Sequence, residues 1–285
     1  MKTLTKIYLA KIIYNFLIFI GINKNLKVRR KNIKWNLDLS EAVDLSIFLT
    51  GAFQYSLTKS ILNLISKIKN NEKINIIDIG SNIGDKSILI SRELLKKKKE
   101  NFQIYSIEPT DFAFKKQINN IKLNPFLKKK ILSFKNFISN KKEKKREVYS
   151  SWNLGKKYQQ THKIHGGTLK NINNKTKNIS LDKFVSQNNI RQNIILKIDT
   201  DGHEMNVLKS GTNLLKRDNV SIFIEYAPYA LNEHGTKKDT FFKLIKTFNF
   251  EIYDLKFRKL DEVNIKEGRS IDIILIKKNS KIIKS

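Results

Sequence analysis

The sequence predicts an α/β fold: a doubly wound, mostly parallel, seven-stranded sheet with an N-terminal helical extension. Two observations predict this fold. From residue 73 onward, short runs rich in isoleucine alternate with runs of helical periodicity, and this alternation is typical of a parallel sheet with crossover helices. Glycines and polar side chains follow several of the strand-like runs, as expected where strands end at a ligand-binding edge.

Each predicted element follows from its local pattern. Seven strands are predicted, at residues 74–79, 103–107, 131–134, 193–198, 220–225, 251–255 and 271–276. Helices are predicted between most of them, at residues 83–95, 112–120, 204–215 and 239–248. The last two strands lie too close in sequence for a crossover helix, so we expect them to form an antiparallel pair at one edge.

A polar stretch, Asn70–Lys73, marks the predicted domain boundary. Residues 1–72 form the extension, whose apolar spacing and lack of glycine turns predict helices, and residues 73–285 form the main domain. Residues 135–178 are rich in lysine and asparagine and fit no crossover. We expect them to form an insertion that acts as a lid, with a small hairpin near Glu147–Trp152.

The composition excludes several classes of protein. A hydrophobic fraction of 40% excludes wholesale disorder, and the absence of cysteine excludes disulfides and thiolate nucleophiles. The net charge of +30 suggests a polyanionic partner. However, all but eight of the 56 basic residues are lysines in a chain also rich in isoleucine and asparagine. This bias favours a compositional origin of the charge over a selected nucleic-acid surface.

The N-terminal segment, residues 4–22, is strongly apolar. Its uncharged run, Ile12–Asn23, is shorter than the roughly 20 residues that span a bilayer, and no small-residue cleavage site follows it. We favour a helix docked on the protein, with a peripheral membrane contact through residues 4–22 as the alternative. The expected location is cytoplasmic, either free or at the inner membrane face.

A glycine-containing polar loop, with Asp78, Gly80, Asn82 and Gly84, joins the first strand of the main domain to a helix. Its glycines let the backbone approach a ligand, and the N–H groups at the helix start attract anions. Glu108 ends the next strand, where an acid can accept hydrogen bonds from a ribose diol. The residues therefore predict a nucleoside cofactor. The missing third glycine and the polar loop favour S-adenosylmethionine over NAD.

A second polar cluster follows the fourth predicted strand. We predict that Asp199 faces the reactive end of the cofactor or accepts a proton, and that His203 is a general base. We also predict that Glu204 belongs to the catalytic group, where it caps the helix or orients His203. Oxygen ligands cluster here, so a divalent cation is compatible with the site, but none is predicted. Glu225 ends the next strand, where it either contacts substrate, completes a metal site or pairs with a lysine such as Lys197.

These blocks, in this order, resemble the FkbM-type S-adenosylmethionine-dependent methyltransferases over about residues 35–277. The matching segments are Asp78–Gly84, Glu108-Pro109, Ser180-Leu181-Asp182 and Lys197–Glu204, the last with Asp201 where the family has glutamate. The chain also has Gln54 where the family commonly has glutamate, which leaves the role of that position open.

The resemblance implies a Rossmann-like methyltransferase fold, S-adenosylmethionine as cofactor, and a cofactor-binding role for Asp182. It also implies methyl transfer, mostly to oxygen, on sugars in polysaccharide biosynthesis or on secondary metabolites. The expected partner is a small molecule or glycan rather than nucleic acid. Two alternatives stay open: an RNA methyltransferase that uses the basic surface, and a non-enzymatic protein of the membrane surface. The sequence does not predict the oligomeric state.

Overall fold

The computed structural model describes residues 3–140, 147–155, 167–172, 175–261, 263, 265 and 269–280. Its first elements are α1 (Thr3–Phe19), β1 (Asn25–Arg30), β2 (Ile33–Asp38), α2 (Ala42–Thr50) and α3 (Tyr55–Ser66). The following ones are β3 (Ile74–Ile79), α4 (Asp85–Lys96), β4 (Phe102–Ile107), α5 (Asp111–Lys122), β5 (Ile131–Phe134), β6 (Asn136–Ile138), β7 (Glu147–Trp152), β8 (Gly167–Asn171), β9 (Lys177–Ile179) and α6 (Leu181–Gln187). The last are β10 (Ile194–Ile198), α7 (Glu204–Lys209), α8 (Thr212–Leu215), β11 (Val220–Tyr226), α9 (Pro228–Glu233), α10 (Lys238–Thr247), β12 (Phe250–Tyr253) and β13 (Ile271–Lys277).

Seven of these strands form one sheet in the order β12-β13-β11-β10-β3-β4-β5. The strands β5, β4, β3, β10 and β11 are parallel, and β13 is antiparallel to both of its neighbours. The predicted doubly wound sheet and its antiparallel edge pair are therefore confirmed. The chain proceeds outward in opposite directions from β3 and β10, and the carboxyl ends of these two strands flank the switch point at which such folds bind ligands.

The central strand β3 is buried along its whole length. Successive side chains of a strand point to opposite faces. Ile74 and Ile76 accordingly join the hydrophobic cluster on one face of the sheet, whereas Ile77 and Ile79 join the cluster on the other. Four of its six residues are isoleucine, and such an isoleucine-rich run is the pattern expected of a strand covered on both faces.

The helical prediction for the N-terminal extension is wrong over residues 25–38, where β1 and β2 form an antiparallel hairpin. Lys31 and Asn32 make its turn with positive φ angles of 47° and 58°, which suit the twist of a tight hairpin. The strand β2 buries Ile33, Trp35 and Leu37 on one side. This alternation is the strand signal, and asparagine at the turn replaces the glycine that usually marks it.

The extension packs on one face of the central sheet. Trp35, Leu45 and Ile61 belong to the same hydrophobic cluster as Ile76 of β3 and Ile88 of α4. The extension therefore contributes to the core beneath the ligand-binding edge. Among the helices of the described residues, none is both long and apolar enough to cross a bilayer.

Candidate active site

A cavity of about 390 Å³ lies at the carboxyl ends of β3, β4 and β10. Its volume falls within the roughly 300–1,000 Å³ typical of small-molecule sites. Five of the nine predicted site residues line it, namely Gly80, Asn82, Glu108, Asp199 and His203. The other four, Asp78, Gly84, Asp182 and Glu204, do not. The structure thus separates the predicted set into residues that line the cavity and residues outside its lining.

Gly80 allows two loops of the cavity wall to touch. Its φ is +75°, and a Cβ at this position would lie 1.8 Å from the backbone oxygen of Asp199. No side chain fits in that space, so only glycine permits the loop after β3 to meet the end of β10. Close contact between these loops brings the two predicted motifs to one cavity.

Side chains from both neighbouring strands hold the loop after β3. Directly after β4, the Glu108 carboxylate accepts a hydrogen bond from the backbone N–H of Asn82 (3.0 Å). From β10, the Lys197 ammonium donates to the carbonyl of Gly80 (2.8 Å). The loop is therefore fixed before any ligand binds, which lowers the entropic cost of binding.

Glu108 presents a nearly buried carboxylate to the cavity, with 5% of the residue exposed. Besides Asn82, it accepts hydrogen bonds from the backbone N–H (2.9 Å) and hydroxyl (2.5 Å) of Thr110. Burial raises the pKa of Glu108, and the hydrogen bonds and Lys197 oppose this shift. A carboxylate offers about four acceptor positions. Three are used within the protein, so one remains for a ligand hydroxyl.

Lys197 is the buried cation at the centre of the site, a role that the sequence analysis did not assign. Its ammonium lies 3.2 Å from an Asp78 oxygen and 3.4 Å from an Asp199 oxygen. Burial alone would lower the pKa of Lys197, but these carboxylates outweigh it and raise the pKa above its usual value. A lysine inside a strand gives no sequence signal of this role, because its partners come from other strands and loops.

Asp78 lies behind the cavity wall and is not part of the lining. It is almost fully buried, pairs with Lys197 and accepts a hydrogen bond from the hydroxyl of Ser87 (2.7 Å). The cofactor contact of Asp78 stays a prediction that its place outside the lining does not support. Its carboxylate instead balances the charge of the lysine that holds the glycine loop.

Glu204 organises the loop between β10 and α7. Its buried carboxylate accepts hydrogen bonds from the backbone N–H of Thr200 (2.8 Å), the Thr200 hydroxyl (3.0 Å) and the backbone N–H of Gly202 (3.0 Å). All of these donors precede the helix, and the side chain does not line the cavity. These contacts give Glu204 a positioning role for the loop that carries Asp199 and His203, whereas a direct catalytic role stays a prediction.

His203 lines the cavity and is almost fully buried. Its Nε2 lies 2.9 Å from the backbone oxygen of Glu147 in β7. Because a carbonyl only accepts, Nε2 carries the proton, and Nδ1 of the neutral ring is the basic atom. The His234 ring lies close by, with 4.1 Å between the ring centroids. Burial and a fixed tautomer are unusual for a surface histidine and suit a general base.

Three carboxylates gather on the β10 and β11 side of the cavity. Single oxygens of Asp199, Asp201 and Glu225 all lie within 4.8 Å of one another. Burial first, and then the negative charge of Asp199, raise the pKa values of Asp201 and Glu225 well above normal. Bound protons or a nearby positive charge would relieve this repulsion. The oxygen-only set also has the chemistry of a site for a hard cation.

Glu225 does not pair with Lys197, which was one of its predicted roles. Its carboxylate accepts a hydrogen bond from the Ser270 hydroxyl (2.7 Å), while Lys197 pairs with Asp78 and Asp199. Tyr229, which the sequence analysis overlooked, lines the same wall. Burial and then Glu225 raise the pKa of Tyr229, so its phenol stays protonated as a hydrogen-bond donor.

Two further predicted residues have structural roles. The Asp182 carboxylate accepts hydrogen bonds from the backbone N–H groups of Asn213 (2.9 Å) and Leu214 (2.8 Å), at the start of α8. This position lies outside the cavity lining, so its cofactor contact stays a prediction that the lining does not support. Gly84 also lies outside the lining, and a Cβ there would lie 3.0 Å from Gln117 of α5. It permits close packing of α4 against α5.

A segment from the predicted insertion covers the cavity. Val148 contributes to the lining, and Glu147 holds His203. The segment is fastened to the N-terminal part of the chain, where Leu154 donates to the carbonyl of Ser40 (2.6 Å) and the Asn153 amide donates to Glu41 (3.0 Å). The extension and the insertion therefore complete the wall that the sheet leaves open.

The sheet order, the glycine loop and the acid after β4 define a Rossmann-like α/β protein with a cofactor cavity at its switch point. The Methyltransferase FkbM domain matches residues 78–262, which is more than half of the chain. The chain belongs to the FkbM methyltransferase family, as the sequence resemblance indicated. Among curated proteins, none matches this sequence.

Several solved structures are similar at low identity. The methyltransferase FkbM from Methylobacillus flagellatus KT is 14% identical, with a TM-score of 0.42, over 73% of this chain and 44% of that chain. This chain therefore spans less than half of that protein. Magnesium protoporphyrin IX methyltransferase from Synechocystis PCC 6803, solved with bound SAM, is 8% identical, with a TM-score of 0.43, over 79% of each chain. A putative rRNA methylase from Clostridium thermocellum is 10% identical, with a TM-score of 0.43, over 78% of this chain and 97% of that chain.

Proposed function

We propose that this protein transfers a methyl group from S-adenosylmethionine to a hydroxyl of a sugar or another small hydroxyl compound, such as a surface glycan precursor or a secondary metabolite. The observation that carries the proposal is the Glu108 carboxylate, which faces the same cavity as His203 and the carboxylates after β10. A ribose-binding acid and a base beside one cavity are the two groups that such a transfer requires.

The residues of the cavity fit this cofactor. Glu108 has one acceptor position left for a ribose hydroxyl, next to a loop that is already fixed. S-adenosylmethionine supplies a methyl group on a positively charged sulfur. The repulsion among Asp199, Asp201 and Glu225 favours a positive charge in this part of the cavity. The acidic wall therefore favours the sulfonium form over the neutral sulfur of the product.

His203 is the proposed base. Nδ1 of His203 would accept the proton of the acceptor hydroxyl as that oxygen takes the methyl group. The carbonyl of Glu147 keeps the proton on Nε2 and so fixes the ring in the required tautomer. Glu204 holds the loop before α7 in place for this step.

The test measures S-adenosylhomocysteine formation with a panel of monosaccharides, nucleotide sugars and other hydroxyl compounds, and in parallel with total RNA. We expect turnover with a hydroxyl compound and none with RNA. In His203→Gln, the amide can still donate to Glu147, but the base is lost. We expect kcat to fall by about 10²–10⁴-fold with cofactor affinity unchanged. Methylation of RNA alone would establish the alternative function, and full activity of the variant would remove His203 from the mechanism.

A further inference from the structure

The helix α1 has an unusually apolar outer face. Its inner side packs on the core through Ile7 and Leu17. Of the 14 large hydrophobic side chains exposed in the described residues, eight lie between residues 8 and 20. They are Tyr8, Leu9, Ile12, Ile13, Phe16, Ile18, Phe19 and Ile20, of which Phe19 is 87%, Tyr8 65% and Phe16 58% exposed. Such a dense group of exposed apolar side chains marks an interaction surface.

The geometry of α1 limits what can cover this face. A surface helix is normally polar on its outer side, whereas α1 is apolar on both. Its 17 residues extend about 26 Å, and its inner side is already occupied by the protein, so it cannot enter a bilayer end-on. It can lie flat on a membrane, with its outer face among the lipid chains and the rest of the protein on the water side.

The charge around α1 identifies the lipid. Residues 1–37 carry nine basic side chains and no acidic one. The basic residues are Lys2, Lys6, Lys11, Lys24, Lys27, Arg29, Arg30, Lys31 and Lys34. A second copy of this chain would bring two such segments together and repel. An anionic bilayer surface instead attracts each cation that lies near it.

We propose that α1 is an interfacial anchor that holds the protein on an anionic membrane surface through residues 8–20. Lys6 of the same helix lines the active-site cavity, so anchoring places this cavity next to the lipid headgroups. The next step rests on the proposed function. The acceptor hydroxyl then belongs to an amphiphile, such as a lipid-linked sugar, whose chain stays in the bilayer.

The anchor is tested by sedimenting the full chain with vesicles of phosphatidylcholine alone or mixed with phosphatidylglycerol. We expect binding to the anionic vesicles that weakens as salt rises. The double variant I12D/F16D should bind about tenfold less or weaker still, because it loses two apolar contacts and adds two negative charges. Phe126→Asp is the matched control, since Phe126 is exposed elsewhere and should leave binding unchanged. Thermal melting checks that the variants are folded.

Three outcomes would overturn the anchor: no binding of the wild type, equal binding by I12D/F16D, or a lipid-free dimer in ultracentrifugation that this variant dissociates. The acceptor is tested separately with radiolabelled cofactor and a membrane lipid extract. We expect label in lipid and a loss of this labelling in I12D/F16D. Label only in water-soluble compounds would overturn the amphiphilic acceptor. Calorimetry with S-adenosylhomocysteine, which does not require lipid, separates a failed anchor from a failed cofactor site.

Discussion

Replacing Glu108 with alanine should weaken cofactor binding by a predictable amount. Three of the four acceptor positions of its carboxylate bind Asn82 and Thr110, which leaves one for the ligand. A hydrogen bond to a charged group contributes about 1.5–3 kcal/mol. At about 1.4 kcal/mol per factor of ten, the dissociation constant for S-adenosylhomocysteine should rise about 10- to 150-fold.

Calorimetric titration measures this change, with Glu100→Ala as the matched control. Glu100 is exposed at the amino end of β4, at the opposite end of the strand from Glu108. We expect this control to bind like the wild type, and affinity within threefold of wild type in Glu108→Ala would refute the assigned role.

A ligand without the two ribose hydroxyls distinguishes direct contact from a loosened loop. If Glu108 binds the diol, wild type and Glu108→Ala should bind this ligand with nearly equal affinity, because the lost contact is the same. An equally large effect of the substitution on both ligands would show that Glu108 acts only by holding the loop after β3.

The remaining predictions concern residues that support the site. Lys197→Met leaves the buried Asp78 carboxylate without its cation, so the free energy of unfolding in denaturant should fall by about 3–5 kcal/mol, and an unchanged midpoint would contradict this. Asp182→Ala should cost about 1 kcal/mol through the lost cap of α8 and leave cofactor affinity unchanged, whereas weaker binding would support Asp182 as a ligand. Because the pKa of Glu225 is raised in the folded chain, folding takes up a proton, and this carboxyl destabilises the protein increasingly as pH rises above about 4.5. Glu225→Gln should therefore gain melting temperature relative to wild type between pH 5 and pH 8, and a pH-independent difference would oppose this account.

The central sheet could be predicted because its signals are local. Four of the six residues of β3 are isoleucine, and such a short run in an α/β pattern has few other interpretations. The hairpin at residues 25–38 was missed although its alternation is visible, because Lys31 and Asn32 adopt positive φ without glycine. The spacing of Ile33, Trp35 and Leu37 is the strand signal in this segment, and a turn without glycine conceals it.

The site was predicted at the level of motifs but not of individual roles. Gly80 and Glu108 line the cavity as expected, since both lie directly after parallel strands. Asp78 and Glu204 belong to the same motifs, yet their carboxylates serve Lys197 and the loop before α7. The direction of a side chain near a strand end depends on partners from distant segments. A motif therefore locates a site more reliably than it assigns contacts.

The cavity at the carboxyl ends of β3, β4 and β10 is expected to bind S-adenosylmethionine. The most direct measurement is calorimetric titration of the folded wild-type protein with S-adenosylhomocysteine, with NAD as the comparison ligand. We predict micromolar binding of one S-adenosylhomocysteine per chain and no binding of NAD. Absence of heat with S-adenosylhomocysteine, or equal affinity for NAD, would contradict the assignment of this cavity.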